Sequence, residues 1–439
     1  MQKLIDFLEK HFVPVAGKIG AQRHLVAIRD GFAVIMPLII AGSLGVLINS
    51  FPIKSYQNFM IGIFGKGWTN FGGNLSNGTI GLMSLLIVCT VSYNLAKSYD
   101  ADALSSAMVS FASLFMLYAP SLKDPESIPR GFMGATGLFV ALFVALITTE
   151  IFVRLMKNPK LVIKMPDGVP PAVSRSFAAL FPGIIVLVIW AIFQCILSGT
   201  GVGSAHQLIY DAIQAPLMGF ADSLGSAIVI SLLVHVLWFF GLHGTNILAP
   251  VFNTVYLTNA EQNIKAFQAG AEKLPHIVTS PFFDAFVHLG GAGATIGLVI
   301  AIYISSKRKE KRMVANLSAA PGIFNINEPM MFGLPIVLNA WLVIPFILIP
   351  IILTIITYFA MATGLVPKTI ALMPWQTPPI IGGFIVTGSI KGALLAAFNL
   401  FISVVIYIPF ISLGEKMEDK KNRNKEKTVK VQNGISQNK

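Results

Sequence analysis

Apolar residues run along this chain in blocks long enough to cross hydrocarbon, and polar residues fall in short clusters between them. Five such windows occupy the first half, at roughly 31–51, 77–97, 101–122, 134–156 and 178–199. Clear windows follow at 225–241, 284–306, 341–363 and 391–412. A helix needs about 20 apolar residues to span the hydrocarbon of a bilayer, and there every backbone polar group must be paired internally. The pattern therefore predicts an all-α polytopic membrane protein.

Composition agrees. Of 439 residues 54% are hydrophobic and 12% charged, so no charged exterior for a soluble fold is available. Mean hydropathy is +0.73. The first 23 residues mix polar and apolar types, so no cleavable signal is expected. The two cysteines, Cys89 and Cys195, lie in apolar runs without a CxxC or metal-ligand spacing and read as buried small hydrophobes.

Charge refines the count of crossings, because Lys and Arg are retained on the cytoplasmic side. Lys3, Lys10, Lys18, Arg23 and Arg29 place the N-terminus inside, and Arg154 to Arg175 and the run Lys307–Arg312 must lie inside too. Nine crossings would put that run outside, so a tenth is required between Thr200 and Asp284. The stretch 245–257 is the first choice for it. The alternative, 205–224, reads as an interfacial amphipathic connector carrying His206, Asp211, Gln214 and Asp222. With ten crossings both termini are cytoplasmic, and about three quarters of the 32 Lys and Arg are inside. The net charge of +12 is then a topology signal, and no nucleic acid is expected as a partner.

Two stretches are apolar yet too interrupted by Pro and Gly for ordinary spans. They lie near 314–339 and 366–389 and would enter from opposite sides as re-entrant hairpins lining a cavity. Kinked helices are the competing reading. The expected organisation is a scaffold or dimerisation half over 1–200, a connector over 201–224, a transport half over 225–413 and a basic cytoplasmic tail over 414–439.

Glu328 stands in Asn325-Ile-Asn327-Glu328-Pro329, inside an otherwise uncharged stretch from Met313 to Asn339. A carboxylate at membrane depth is costly unless compensated. Pro329 suits the first helical position, which would make Glu328 the N-cap, where it could accept a substrate hydroxyl or take its proton. A purely structural cap is the alternative. His243 sits at a Gly-flanked break, with Trp238 and Phe240 before it and Thr245 and Asn246 after it; it is a site candidate or a satisfied interior histidine. His235 and His288 read as structural. Trp375 and Gln376 would offer a ring and an amide to a polyhydroxylated ligand, unless Trp375 belongs to an interfacial belt. Glu150 is expected to pair with Arg154 one turn on. No metal, nucleotide or other cofactor motif is present, so energy must come from an ion gradient or another protein.

The motif Asn325-Ile-Asn-Glu-Pro-Met-Met-Phe-Gly together with Gly241-Leu-His243-Gly resembles enzyme IIC of the bacterial phosphoenolpyruvate:sugar phosphotransferase system, in its lactose/cellobiose/diacetylchitobiose branch. The opening Leu4-Ile-Asp-Phe-Leu-Glu-Lys and the run Arg29-Asp-Gly-Phe are also similar to that branch. The resemblance implies a homodimer in the bacterial cell membrane. It implies a β-linked disaccharide held by His243, Trp238, Asn246, Asn327 and Trp375, with Glu328 as the catalytic group near its 6-hydroxyl. The phosphoryl donor would be a phosphocysteine on a cytosolic enzyme IIB, itself charged by enzyme IIA. Two other readings stand beside it: an ion-coupled secondary sugar transporter with Glu328 as coupling site, and a membrane enzyme using His243 and Glu328 as an acid–base pair.

Overall fold

The computed structural model describes residues 10–11, 14–15, 17–50, 54–118, 130–166, 168–200, 204–334, 336 and 342–436. Every regular element among the described residues is helical. The first half contains α1 (Arg23–Ser50), α2 (Lys54–Phe64), α3 (Met83–Lys97), α4 (Ala103–Met116), α5 (Leu138–Met156) and α6 (Leu180–Gly199). In hydrocarbon no aqueous hydrophobic drive joins helices, so they associate through small residues and shared hydroxyls. A Cβ at Gly31 would lie 2.6 Å from the Val91 side chain, so glycine is what lets α1 rest on α3. The buried Ser92 hydroxyl lies 2.9 Å from that of Ser106 and 2.7 Å from that of Thr149, and Ser110 donates to it at 2.9 Å. That one oxygen ties α3, α4 and α5 together. Trp190 joins α6 to them by donating Nε1–H to the Thr148 hydroxyl at 2.8 Å.

Glu150, near the end of α5, has more partners than Arg154. The Arg154 guanidinium is 3.4 Å away, His24 Nε2 is 2.9 Å away, and the Tyr99 hydroxyl donates to the same carboxylate. Cys89 is half-buried, but Cys195 is exposed beside Ile192 and Ile196, not buried as expected. The outer face of α6 around Cys195 is mostly apolar, so a small apolar thiol suits hydrocarbon there as well as it would suit a core.

Six described helices are long and apolar enough to cross a membrane, or up to seven if one bent pair is counted. The expected crossings at 101–122, 225–241, 245–257 and 284–306 fall on shorter or interrupted helices instead. α4 stops at Met116, and 119–129 are outside the described residues. The connector Ala205–Ala221 meets α7 (Leu224–Phe239) at 81°. It is not wholly a surface element, since His206 and Gln214 are buried and the His206 ring stacks 4.4 Å from that of Tyr118. The 245–257 stretch lies in a helical run that ends as α8 (Leu257–Gln268).

The window 284–306, expected as one helix, is two. α9 (Ser280–Phe286) and α10 (Thr295–Ser305) are separated by a turn in which Gly290, Gly291, Gly293 and Ala294 all have positive φ. A right-handed helix cannot pass through that conformation, and the Gly-Gly-Ala-Gly run is the local cause. Beyond it come α11 (Lys309–Ile323), α12 (Glu328–Gly333), α13 (Val343–Ala362), α14 (Pro379–Thr387) and α15 (Ile390–Ser436). The first expected hairpin thus starts as a helix already at Lys309, and 335 and 337–339 of it lie outside the described residues. The second is irregular chain from 367, a turn at 375–377, then α14.

Buried apolar side chains form two clusters. One centres on Val88, Val91, Ala145 and Phe152, and also takes in Leu257, Ala260 and Ile264 of α8 together with Leu372. The other centres on Phe282, Phe286, Phe346 and Tyr407. α8 therefore packs into the first-half core although it follows α7 in the chain.

Candidate functional site

Three helix breaks and the irregular chain before α14 converge in the second half, and side chains satisfy the backbone that helix leaves unpaired. Each orphaned backbone group there would cost several kcal/mol. Asn325, itself at positive φ (61°), performs most of this pairing. Its Oδ1 accepts the Gly290 N–H at 2.7 Å, and its Nδ2 donates to the carbonyls of Trp375 at 2.5 Å and Thr377 at 3.0 Å. Asn327 Nδ2 donates to the Ala292 carbonyl at 3.0 Å. His235 Nε2 accepts the Gly293 N–H at 2.8 Å while its Nδ1 bonds the Ser231 carbonyl at 2.6 Å, which assigns the ring proton to Nδ1. The Tyr407 hydroxyl donates to the Gly293 carbonyl at 2.6 Å. His288 is buried against the rings of Phe252 and Phe283. His235 is thus a strut of the turn, as its sequence context suggested.

His243 and Glu328 stand at two of these breaks. Gly241 (φ 77°) turns the chain after α7, and Gly244 lies too close to the Val234 backbone for a Cβ. His243 Nδ1 accepts the Asn246 N–H at 3.2 Å and so caps the short helix Gly244–Ile247. That leaves Nε2 facing Glu328 Oε1 at 3.8 Å, with 39% and 47% of the two side chains exposed. The gap is too wide for a direct hydrogen bond, so both groups are open to a third partner that can bridge them. Trp238 is buried behind, its ring centroid 4.3 Å from that of His243, and its Nε1–H points to the Thr245 hydroxyl at 3.5 Å.

Glu328 is not the N-cap. It is the first residue of α12, Asn327 holds the cap position and Pro329 is second. The Asn327 carbonyl takes the N–H groups of Met330 and Met331, which shifts the helix start one residue toward the N-terminus. Proline tolerates either position because both N–H groups are orphans of the first turn.

Of the six residues singled out from sequence, His243 has both Glu328 and Trp238 beside it, and Asn246 joins it through its backbone. Asn327 is buried and linked to the turn through Ala292, whereas Trp375 is exposed and anchored by its carbonyl to Asn325. Two further residues belong to the surroundings. Arg29 of α1 is near enough to His243 for their charges to interact; its sequence signal is the Arg29-Asp30-Gly31-Phe32 run. Asp284 on α9 is half-buried with no hydrogen bond or ion pair among the described residues, and its apolar neighbours in sequence give no sign of it. Among the described residues no three His, Cys, Asp or Glu side chains gather as a metal site would require.

Comparison with known proteins gives one direction. A family model described as "Phosphotransferase system, EIIC" matches residues 29–350. The chain is 40% identical to the lichenan permease IIC component of Bacillus subtilis (strain 168), over 97% of each chain. It is also 40% identical to the cellobiose-specific EIIC component of Geobacillus stearothermophilus, over 95% of this chain and 96% of that one. Its structure is similar to the crystal structure of the transporter ChbC, the IIC component of the N,N'-diacetylchitobiose-specific phosphotransferase system. The TM-score is 0.91 at 41% identity, covering 95% of this chain and 99% of the other.

Proposed function

The chain belongs to the phosphotransferase-system EIIC family, and on that premise we propose that it takes up a β-linked disaccharide of the cellobiose or diacetylchitobiose kind across the bacterial cell membrane for phosphorylation on the inner side. As an EIIC it is a multi-pass membrane subunit that handles the sugar and works with EIIA and EIIB proteins. Family membership does not favour the ion-coupled alternative.

The observation that carries the disaccharide reading is the His243–Glu328 pair. Two half-exposed polar groups 3.8 Å apart, from separate helix breaks, can share one sugar hydroxyl. On this reading Glu328 orients the 6-hydroxyl and takes its proton, and His243 binds the same region. Trp238 backs the His243 ring, and Trp375 offers a face to an apolar sugar ring. Asn246 edges the cavity, and Asn327 holds the turn that shapes it. We assign the first half to a scaffold through which two copies pair, supported by large apolar side chains exposed on α1, α2 and α6. Both termini are cytoplasmic on this reading, supported by the distribution of Lys and Arg. A sugar phosphate cannot recross hydrocarbon, so phosphorylation makes uptake effectively irreversible.

Binding of cellobiose, diacetylchitobiose and lactose to the purified protein, measured calorimetrically, ranks the substrates. In proteoliposomes with phosphorylated EIIB, the sugar should accumulate only as its phosphate. Accumulation of unmodified sugar, abolished by an uncoupler, would overturn the reading in favour of ion coupling.

A further inference from the structure

Arg29 has entered the site so far only through its charge near His243, and Asp30 has not entered it at all. Their neighbours are accounted for by packing: Gly31 gives α1 its approach to Val91, and Phe32 is buried in the first-half core. Arg29 and Asp30 have neither duty. They are 38% and 41% exposed, and Arg29 Nη2 lies 2.8 Å from Asp30 Oδ1, so the guanidinium is held by a carboxylate while one side of it stays open. The segment carrying them presses on the break that holds His243. A Cβ at Gly20 would lie 3.0 Å from the Ile247 side chain, and Ile28 lines one crevice with Pro250 and Val251. Arg29 itself is within charge-interaction range of His243. The residues placed at the sugar (His243, Glu328, Trp238, Asn246, Asn327 and Trp375) include no Lys or Arg. A phosphoryl group in transfer spreads negative charge over three oxygens, and stabilising that charge is most of the catalytic task. A planar guanidinium fits phosphate oxygens in bidentate fashion.

We propose that Arg29 is the cation that meets the phosphoryl group during transfer, held by Asp30 and presented to the sugar site from the opposite half of the molecule. The proposal rests on the phosphotransfer reading above. In the step, the sugar 6-oxygen bonds to phosphorus as the sulfur–phosphorus bond of the EIIB phosphocysteine breaks. The hydroxyl proton passes to the Glu328 carboxylate, and the sulfur leaves as thiolate. Arg29 donates N–H groups to the phosphoryl oxygens and makes no covalent bond. Arg29 rides on α1 in the first half and Glu328 on α12 in the second, so the transfer draws on both halves.

The test compares the full-length wild type with Arg29→Gln, Arg29→Lys and Asp30→Asn. Binding of free cellobiose and of cellobiose 6-phosphate is measured without EIIB, and steady-state phosphorylation is then measured with phosphorylated EIIB. Arg29→Gln is expected to bind free sugar within about twofold of wild type and sugar phosphate at least roughly tenfold more weakly, with kcat about a hundredfold lower and sugar KM unchanged. Arg29→Lys should recover part of both losses, and Asp30→Asn should show smaller losses of the same kind. Equal weakening of free sugar and sugar phosphate would mean a structural effect and overturn the proposal, as would a wild-type kcat in Arg29→Gln. If wild type transfers no phosphoryl group to sugar, the phosphotransfer reading itself fails. If wild type and Arg29→Gln are equally active, only the role of Arg29 fails.

Discussion

Two carboxylates embedded in helical bundles face opposite situations in this molecule. Glu150, in the first half, is 22% exposed and shared by His24, the Tyr99 hydroxyl and Arg154. Glu328, in the second half, is 47% exposed, and its ion-pair partner among the described residues is His243, at 3.8 Å. The first has its charge compensated within the chain. The second lacks such compensation, and on the proposed reading a sugar hydroxyl supplies it. The same contrast runs through the backbone around them. First-half helices pair their own amides and meet through hydroxyls such as Ser92. In the second half, the break at Gly290–Ala294 borrows pairing from Asn325, Asn327 and His235, and the one after Gly241 from His243. Irregular backbone is tolerated at membrane depth where it lines a cavity, and this is where the candidate site lies.

Substitutions can break or sharpen that contrast. The largest effect belongs to Glu328→Gln, which should lower phosphorylation about a thousandfold, while sugar binding is weakened but still measurable and thermal stability changes little. A wild-type phosphorylation rate in that variant would remove Glu328 from the chemistry. Next comes Asn325→Ala, which orphans the Gly290 N–H and the Trp375 and Thr377 carbonyls; a loss of about 3 kcal/mol in stability is expected, with sugar affinity falling alongside. Thermal unfolding followed with and without sugar reads both quantities, and an unchanged melting temperature would show that the knot is not needed. Glu150→Gln should cost about 1–2 kcal/mol of stability yet leave the phosphorylation rate within roughly twofold. A selective loss of turnover there would erase the distinction between the two carboxylates. The smallest effect is expected of Arg154→Ala: its side chain is 79% exposed. Exposed pairs of this kind are worth about 0.5 kcal/mol or less, and a shift within error in the same unfolding assay is the expected result.

Much of this was legible in one dimension. Long apolar windows, the isolation of Glu328 within Met313–Asn339 and the place of His243 at a Gly-flanked break depend only on neighbours in sequence. The break within 284–306 was equally local in cause, since Gly290-Gly291-Ala292-Gly293 stands in the sequence. It was read as span because its composition is apolar, and hydropathy does not register φ. The one-residue shift at Glu328 has a similar origin: proline suits both of the first two helical positions, and the Asn327 carbonyl chose between them.

What the sequence by itself determined is the solvent this chain is made for, the helical character of its spans, and which charged residue lacks a partner nearby. What only the tertiary structure decided is who completes each break. Asn325 reaches Gly290 across 35 positions and Trp375 across 50, and His235 reaches Gly293 across 58. Such pairings depend on how closely the helices approach, and that is set by small residues such as Gly31 and by side-chain volumes on several helices at once. The same holds for α1, whose Ile28 meets Pro250 and Val251 of the chain after α7 across one crevice. Hydrogen bonds and charges act over a few ångströms of space, and no spacing along a chain encodes a distance between segments it has yet to fold together.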